Sequence, residues 1–194
     1  REYGSDPAGT MATNFLGTLH LLELAREKKT KKFLYVSTIE VYGDTKIEGA
    51  IGEHDFGTMD STNVRSCYPL SKKACETLAV SYWEQYQVPA VIGRLSYLYG
   101  PGMKKDDSKV VAQFARDIAG NRNIVMKSRG EQLRSYTYIS DAASALLTIL
   151  AKGTPGEAYN IANPQSRMTI AQMARTLAGL YPRRGLKVVF DLPT

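Results

Sequence analysis

The most informative stretch of this chain is Tyr68-Pro69-Leu70-Ser71-Lys72, taken together with Ser37-Thr38-Ile39-Glu40-Val41-Tyr42-Gly43. Residues i and i+4 of a helix lie on one face, so the Tyr68 phenol and the Lys72 ammonium are expected to be neighbours. A nearby positive charge favours phenolate, which makes the phenol a usable base near neutral pH. A Ser or Thr hydroxyl at the end of the preceding strand can hydrogen-bond the same substrate oxygen. The two stretches together predict proton abstraction from a substrate hydroxyl.

The composition is that of an ordinary globular protein, with 194 residues of which 43% are hydrophobic and 23% are charged. A chain of this length can bury a real core. No apolar run approaches the roughly 20 residues that a membrane helix needs, so no membrane association is expected. The two cysteines, Cys67 and Cys75, are too few for a disulfide framework or a zinc site, and two histidines argue against a histidine-based metal site. We therefore expect reduced thiols in a cytoplasmic protein without a metal.

The net charge of +6 is partly clustered, in the runs 26–32, 104–105 and 183–184. A basic run at the end of a helix is most often solvated and suits the helix dipole. Nucleic-acid surfaces place basic residues among aromatic residues on one face, and these runs lack that pattern. The charge therefore predicts anionic small molecules, such as nucleotide phosphates, rather than nucleic acid.

Hydrophobic periodicity predicts alternating helices and strands along the chain. Asp6, Asp141 and Thr169 are expected to cap helices. Residues 43–66 have no sustained period and predict a long loop, which inside a compact domain is usually functional. The predicted helices cover 7–28, 68–87, 109–119, 141–151 and 169–180, and the predicted strands cover 33–36, 88–95, 124–126, 134–139, 159–161 and 186–190.

This order of elements indicates an α/β fold with a parallel sheet and right-handed crossovers. The first half of the chain supplies only two strands, which cannot form a stable sheet alone. Its first residues also enter a helix with no strand before it. The sequence is therefore expected to be the later part of a larger α/β protein, truncated at both ends.

Further motifs follow the two stretches quoted first. They are Arg94 with Tyr99-Gly100-Pro101, and Gly130, Arg134, Ile139 and Asp141. The whole set resembles the extended short-chain dehydrogenase/reductases, and among them the nucleotide-sugar epimerase/dehydratase family. The resemblance implies that residues 1–100 are the later part of an NAD-binding Rossmann domain, without its first strands and Gly-rich loop. It implies that residues 101–194 are part of a small α/β domain for the nucleotide sugar, with chain exchange between the two domains.

The resemblance also implies how the reaction proceeds. Tyr68 would take the proton from the sugar 4-hydroxyl as hydride leaves carbon 4 for NAD, which is favoured over NADP. Lys72 would hold the nicotinamide ribose and lower the pKa of Tyr68, and Thr38 would hydrogen-bond the reacting oxygen. The 4-keto sugar acidifies the neighbouring C–H, where Glu40 is available as a base at carbon 5.

Binding residues are implied in the same way. Ser37 and Leu95 are expected to contact the cofactor, together with Tyr68 and Lys72. Tyr97 is expected at the substrate with Thr38, and Arg134 matches the position that clamps the nucleotide diphosphate through two parallel hydrogen bonds. A UDP-sugar is the expected substrate. The family also implies a homodimer in which helices 7–28 and 68–87 of two copies form a four-helix bundle.

The branch of the reaction stays open between epimerase, dehydratase and decarboxylase. Ile39 stands where glucose-type dehydratases carry an acid. Residues 65–68 most resemble UDP-glucuronate decarboxylases, whereas Tyr97 replaces a common substrate-contacting Asn and Pro69-Leu70-Ser71 is closer to epimerases.

The main departure from the family is the absence of a Gly-x-x-Gly-x-x-Gly loop from the sequence. That loop cradles the cofactor pyrophosphate at the N-terminus of a helix. The chain alone is therefore not expected to bind NAD tightly or to catalyse. The alternative to an enzyme of this family is a catalytically inactive fragment or a dimerising interaction domain of such an enzyme.

Overall fold

The chain forms two compact units in the computed structural model, which describes residues 2–192. The first unit comprises the residues up to Ser96 together with Ser140–Ile161, and the second comprises Tyr97–Ile139 and the residues from Ala162 onward. The expected domains 1–100 and 101–194, with chain exchange between them, stay a prediction, and the structure assigns the segment Ser140–Ile161 to the first unit. It lies in the first unit because its strand pairs with the sheet of that unit.

Helices and strands alternate along most of the chain. The helices are α1 (Glu2–Ser5), α2 (Pro7–Glu27), α3 (Cys67–Tyr86), α4 (Val110–Ala119), α5 (Ile139–Lys152) and α6 (Ile170–Gly179). The strands are β1 (Phe33–Thr38), β2 (Ala90–Leu95), β3 (Tyr97–Tyr99), β4 (Ile124–Met126), β5 (Leu133–Tyr138), β6 (Ala158–Ile161), β7 (Arg167–Thr169) and β8 (Val188–Phe190). The predicted α/β class is confirmed.

The first unit is built on a parallel sheet in the order β1-β2-β6. In the register of the sheet, Leu95 lies opposite Thr38 on one side and opposite Ile161 on the other. The carboxyl ends of the strands therefore finish at one level. Ligands of open α/β sheets bind at this edge.

Helices α2 and α3 pack against each other through a buried apolar cluster. The cluster contains Leu22, Ala25, Ala79, Tyr82, Val88 and Ala90. As predicted, Asp6 caps α2, since its carboxylate accepts a hydrogen bond from Gly9 N at 2.9 Å and Pro7 fills the first helical position. This packing fixes α3, which carries Tyr68 and Lys72.

The second unit contains a three-stranded sheet and a two-stranded sheet. In the first, β3 pairs with β5 in parallel and β5 pairs with β7 in antiparallel orientation, while β4 and β8 pair in parallel. The buried core of this unit includes Phe114, Ile118, Ile124, Met126, Met173 and Ala174. Thr169 caps α6 as predicted and completes a capping box with Gln172.

Two details of the prediction were wrong. Asp141 is not a helix cap, because α5 starts at Ile139 directly after β5 and Asp141 lies in its first turn. The short strands β3 and β7 were not predicted, since three residues each are too few to show a period.

Among residues 2–192 we find no helix long and apolar enough to cross a membrane.

Two backbone hydrogen bonds close a part of the loop of residues 43–66. Asp44 N donates to Thr58 O at 2.8 Å and Thr58 N donates to Asp44 O at 2.9 Å, so the two ends of residues 44–58 are tied together. Gly43 has a positive φ of 68°, and a Cβ at this position would lie 2.3 Å from Thr58 O. Only glycine fits here without displacing the backbone.

We expect Gly43→Ala to lower the free energy of unfolding by about 2–4 kcal/mol, because it adds left-handed strain and a backbone clash. Gly49→Ala is the matched control, since Gly49 also has a positive φ but open space around it. It should cost only about 1–2 kcal/mol. Urea unfolding of both variants measures the difference, and equal losses would contradict the clash.

Candidate active site

The carboxyl end of β1 presents two adjacent hydroxyl groups. Thr38 begins a 3-10 turn over Ile39–Tyr42, and its Oγ1 accepts a hydrogen bond from Glu40 N at 3.3 Å. Ser37 is only 3% exposed, and its Oγ has no hydrogen-bond partner among the residues that the structure describes. A buried hydroxyl without a partner is costly unless a ligand or water meets it.

Helix α3 brings its basic side chain to the same strand. Lys72 Nζ donates to Val36 O at 2.9 Å and lies 5.0 Å from the centre of the Tyr35 ring. Burial lowers the pKa of Lys72, while the Coulombic effects of Cys75 and Glu76 act in the opposite direction. The ammonium is thus held beside β1, at the carbonyl of a residue two positions before Thr38.

The start of α3 is fixed on α2 by side chains. Ser71 Oγ donates to Tyr68 O at 2.9 Å and accepts from Asn14 Nδ2 at 2.9 Å, and Cys75 Sγ donates to Asn14 O at 3.3 Å. Tyr68 is half-buried in the first turn of α3, one helical turn before Lys72. These contacts give Tyr68 a defined place on the face that carries Lys72.

The remaining predicted residues of the first unit lie at the same edge of its sheet. Leu95 pairs with Thr38 at the carboxyl end of β2, and Glu40 is half-buried in the 3-10 turn that follows Thr38. Ser37, Thr38 and Glu40 therefore follow one another along the chain, and Leu95 stands beside them across the sheet.

A buried ion pair links β2 to α3. Arg94 contacts Glu76 through Nη2 to Oε2 at 2.7 Å and through Nε to Oε1 at 3.0 Å, and their side chains are 12% and 8% exposed. Arg94 Nη1 also donates to Tyr42 OH and to Glu53 O, both at 2.8 Å. One guanidinium therefore holds α3, the 3-10 turn and the 43–66 loop.

Asn160 of β6 completes this network. Its Oδ1 accepts from Tyr42 OH at 2.7 Å, its Nδ2 donates to Ile51 O at 2.9 Å, and its backbone N donates to Glu53 Oε1 at 2.8 Å. Burial raises the pKa of Tyr42, although its hydrogen bonds with Arg94 and Asn160 oppose the shift. The phenol stays protonated and serves as the donor to Asn160.

Sequence reasoning missed most of this network. Arg94 was noted only as a motif residue, and Glu53, Glu76 and Asn160 were not singled out. Glu76 continues the i, i+4 series of Tyr68 and Lys72 on α3, which is a signal that the sequence contains. Glu53 and Asn160 carry no local pattern, because their contact joins distant parts of the chain.

In the second unit, Arg134 and Tyr97 lie together. The Arg134 guanidinium carbon lies 4.5 Å from the centre of the Tyr97 ring, and Arg134 Nη1 donates to Leu133 O at 3.2 Å. The Tyr97 and Tyr136 rings lie 6.2 Å apart. Stacking orients the planar guanidinium, which leaves its donor edge suited to a phosphate or carboxylate.

The part of the chain that the structure describes contains no group of three or more His, Cys, Asp or Glu side chains able to hold a metal ion. Neither Cys67 nor Cys75 forms a disulfide, and both are buried.

A parallel sheet with hydroxyl groups at the end of one strand, and a Tyr/Lys pair on the following helix, defines the class of short-chain dehydrogenase/reductases. A family model identifies a narrower group within this class. The chain belongs to the NAD dependent epimerase/dehydratase family, whose model matches residues 1–162.

Known proteins of this kind are similar over most of the chain. It is 38% identical over 167 residues to dTDP-D-glucose 4,6-dehydratase of Homo sapiens, covering 86% of this chain and 45% of that protein. It is 34% identical over 192 residues to UDP-glucuronic acid decarboxylase 3 of Arabidopsis thaliana, covering 98% of this chain and 55% of that protein. The chain thus spans about half the length of the curated relatives that it matches.

A solved structure agrees with the fold. The crystal structure of UDP-glucose 4-epimerase from Thermotoga maritima with UDP-glucose superposes with a TM-score of 0.87 at 25% identity. The match covers 99% of this chain and 60% of that one. The expected Rossmann-type α/β fold is confirmed by this likeness.

We expect Glu76→Ala to lower the free energy of unfolding by about 3–5 kcal/mol, because it leaves the buried Arg94 guanidinium without its carboxylate. Asp191→Ala breaks the exposed Lys127–Asp191 pair and is the control, with an expected change within about 1 kcal/mol. Urea unfolding compares the two. A loss below about 1 kcal/mol for Glu76→Ala would show that the pair does not hold α3 to β2.

Proposed function

We propose that the chain is the part of an NAD-dependent nucleotide-sugar-modifying enzyme that carries its proton-transfer residues, and that the enzyme acts through a 4-keto sugar. The observation that carries this proposal is the Lys72 Nζ to Val36 O hydrogen bond of 2.9 Å. It holds the face of α3 that bears Tyr68 against the strand that ends in Thr38. Family membership and the names of the relatives support the same activity.

The residues present fit the nicotinamide end of the cofactor. Ser37 Oγ is buried without a partner in the described residues, which suits a polar ligand group, and Lys72 has ammonium protons beyond the one given to Val36. Leu95 supplies apolar surface at the same edge. NAD, when bound, accepts the hydride that leaves carbon 4 of the sugar, and the name of the family favours NAD over NADP.

The chain's own residues carry out the proton transfer. The fixed charge of Lys72 favours the phenolate form of Tyr68, which takes the proton of the 4-hydroxyl and becomes the phenol. Thr38 donates its hydroxyl proton to the reacting oxygen, since its Oγ1 already accepts from Glu40 N. Tyr68 returns the proton when the carbonyl is reduced again.

The substrate we propose is a nucleoside-diphosphate sugar, with UDP-sugars favoured. Arg134 would bind the diphosphate, and its stacking on Tyr97 supports this role because a planar donor fork suits paired phosphate oxygens. Glu40 would act as the base at carbon 5. Ile39 offers no acid beside it, which favours decarboxylation or epimerisation over loss of water. We place the protein in the cytoplasm, which the reduced state of Cys67 and Cys75 supports.

Tyr68→Phe tests the mechanism in the product of the whole reading frame that encodes this chain. We expect turnover of UDP-sugars to fall by about 10²–10⁴-fold, because the proton acceptor is lost while the ring remains. Binding of the nucleotide sugar, measured by calorimetry, should change less than about threefold, since a phenol proton adds little uniform binding.

Tyr86→Phe, an exposed tyrosine on the same helix, is the control and should keep full turnover. Near-normal turnover in Tyr68→Phe would overturn the proposed role of Tyr68. Turnover lost together with nucleotide-sugar binding would show a structural role instead.

We also propose that the protein is a homodimer through α2 and α3. Helix α2 is packed on α3 on one side, yet Leu16, Leu21 and Leu24 on its other sides are 49%, 56% and 48% exposed. A helix that is apolar all round is normally buried. A second copy of the same helix pair would cover these leucines.

Leu16→Glu should convert the dimer to a monomer, because it would bury an unpaired carboxylate in the interface. Sedimentation velocity at several concentrations measures the change, which we expect to be at least tenfold in the dissociation constant. Leu147→Glu on α5 is the control, since Leu147 is 66% exposed and lies outside this helix pair. A wild-type chain that stays monomeric at high concentration would contradict the proposal.

A further inference from the structure

The loop of residues 43–66 has an arm, residues 45–57, that apolar packing does not hold in place. Two of its three large hydrophobic side chains are exposed, Ile47 at 39% and Phe56 at 78%, and the third, Ile51, is half-buried. The arm is closed at its base by the Asp44–Thr58 bridge. Burial therefore contributes little to its position, and polar contacts must supply the rest.

Those polar contacts meet at the outer edge of β6. Ile92 N bonds to Glu157 O and Ser96 N bonds to Ile161 O, so alternate residues of β6 face β2. The N–H of Asn160 consequently points away from β2. The Glu53 carboxylate accepts this N–H at 2.8 Å, and Ile51 O accepts Asn160 Nδ2 at 2.9 Å. A charged side chain of the arm thus accepts an N–H on the sheet edge that is not bonded to β2.

The same arm is tied to the catalytic helix. Glu53 O accepts from Arg94 Nη1 at 2.8 Å, and Arg94 is the partner of Glu76 on α3. The loop also runs directly into the turn Val64–Ser66 and then into α3, whose second residue is Tyr68. The arm is therefore linked to Tyr68 both through the chain and through Arg94.

From these contacts we infer that Glu53 is a positioning residue that latches the arm to Asn160 and so fixes the start of α3. Its carboxylate holds the arm on β6, and its carbonyl places the arm on the Arg94–Glu76 pair. Glu53 touches no reacting atom. The inference rests on the proposed roles of Tyr68 and Lys72 for its catalytic consequence, while the latch itself depends only on the fold.

Hydrogen exchange of the chain tests the latch directly. Glu53→Ala should speed exchange about tenfold in peptides covering 45–66 and at Asn160, which corresponds to about 1.4 kcal/mol. Glu53→Gln keeps a side-chain acceptor of the same length and should stay within about twofold of wild type. Glu48→Ala removes an exposed acid of the same arm and should change nothing.

Three results would overturn the latch. Unchanged exchange in Glu53→Ala would show that the carboxylate does not hold the arm. An equal rise in α2 and across the chain would show a general loss of stability instead. A rise as large in Glu48→Ala as in Glu53→Ala would show that any lost acid loosens the arm.

Turnover tests the link to Tyr68. In the product of the whole reading frame, Glu53→Ala should lower kcat about tenfold with KM changed less than threefold, and Glu53→Gln should restore kcat. A loosened arm with unchanged kcat would overturn the positioning role. If the wild-type protein made from the whole reading frame shows no turnover, the proposed function is contradicted. The exchange data would then still show whether Glu53 holds the arm on Asn160.

Discussion

The buried Arg94–Glu76 ion pair organises the first unit more than any other contact. A charge taken out of water is costly unless a partner and hydrogen bonds replace the solvent, and Arg94 meets this demand with three different elements. Glu76 fixes the helix, Tyr42 fixes the turn after β1, and the Glu53 carbonyl fixes the loop. A change in any of these elements that removes a hydrogen-bond partner of Arg94 would leave its buried charge incompletely paired.

This arrangement brings the residues of the proposed site to one edge of a small sheet. The parallel register ends β1 and β2 at one level, which sets Thr38 beside Leu95. The start of α3, which carries Tyr68, is held by the Lys72 bond to Val36 and by the Ser71 bond to Asn14. The proposed chemistry therefore depends on the packing between α2 and α3 as much as on the residues proposed to perform it.

Much of the fold was predictable from the sequence because its signals are local. The Asp6 cap, the Thr169 cap and the existence of the two long helices depend on residues close together in the chain, and the structure confirms them. The resemblance implied chain exchange between the domains, whereas the identity of the segment Ser140–Ile161 depends on which strand β6 joins. The Glu53–Asn160 contact spans 107 positions, and no short pattern encodes such a pair. The roles of Tyr68, Lys72, Thr38 and Arg134 stay predictions.

The division of the chain also bears on how it is made. The polypeptide leaves the first unit at Ser96 and returns at Ser140, and β6 is the last strand of the three-stranded sheet. During synthesis, Arg94 emerges from the ribosome long before Asn160, which completes the contacts around Tyr42 and the loop. Until Ile161 has been translated, one edge of β2 therefore lacks the strand that pairs with it in the finished fold. During that interval the unpaired backbone groups of β2 are open to pairing with other chains.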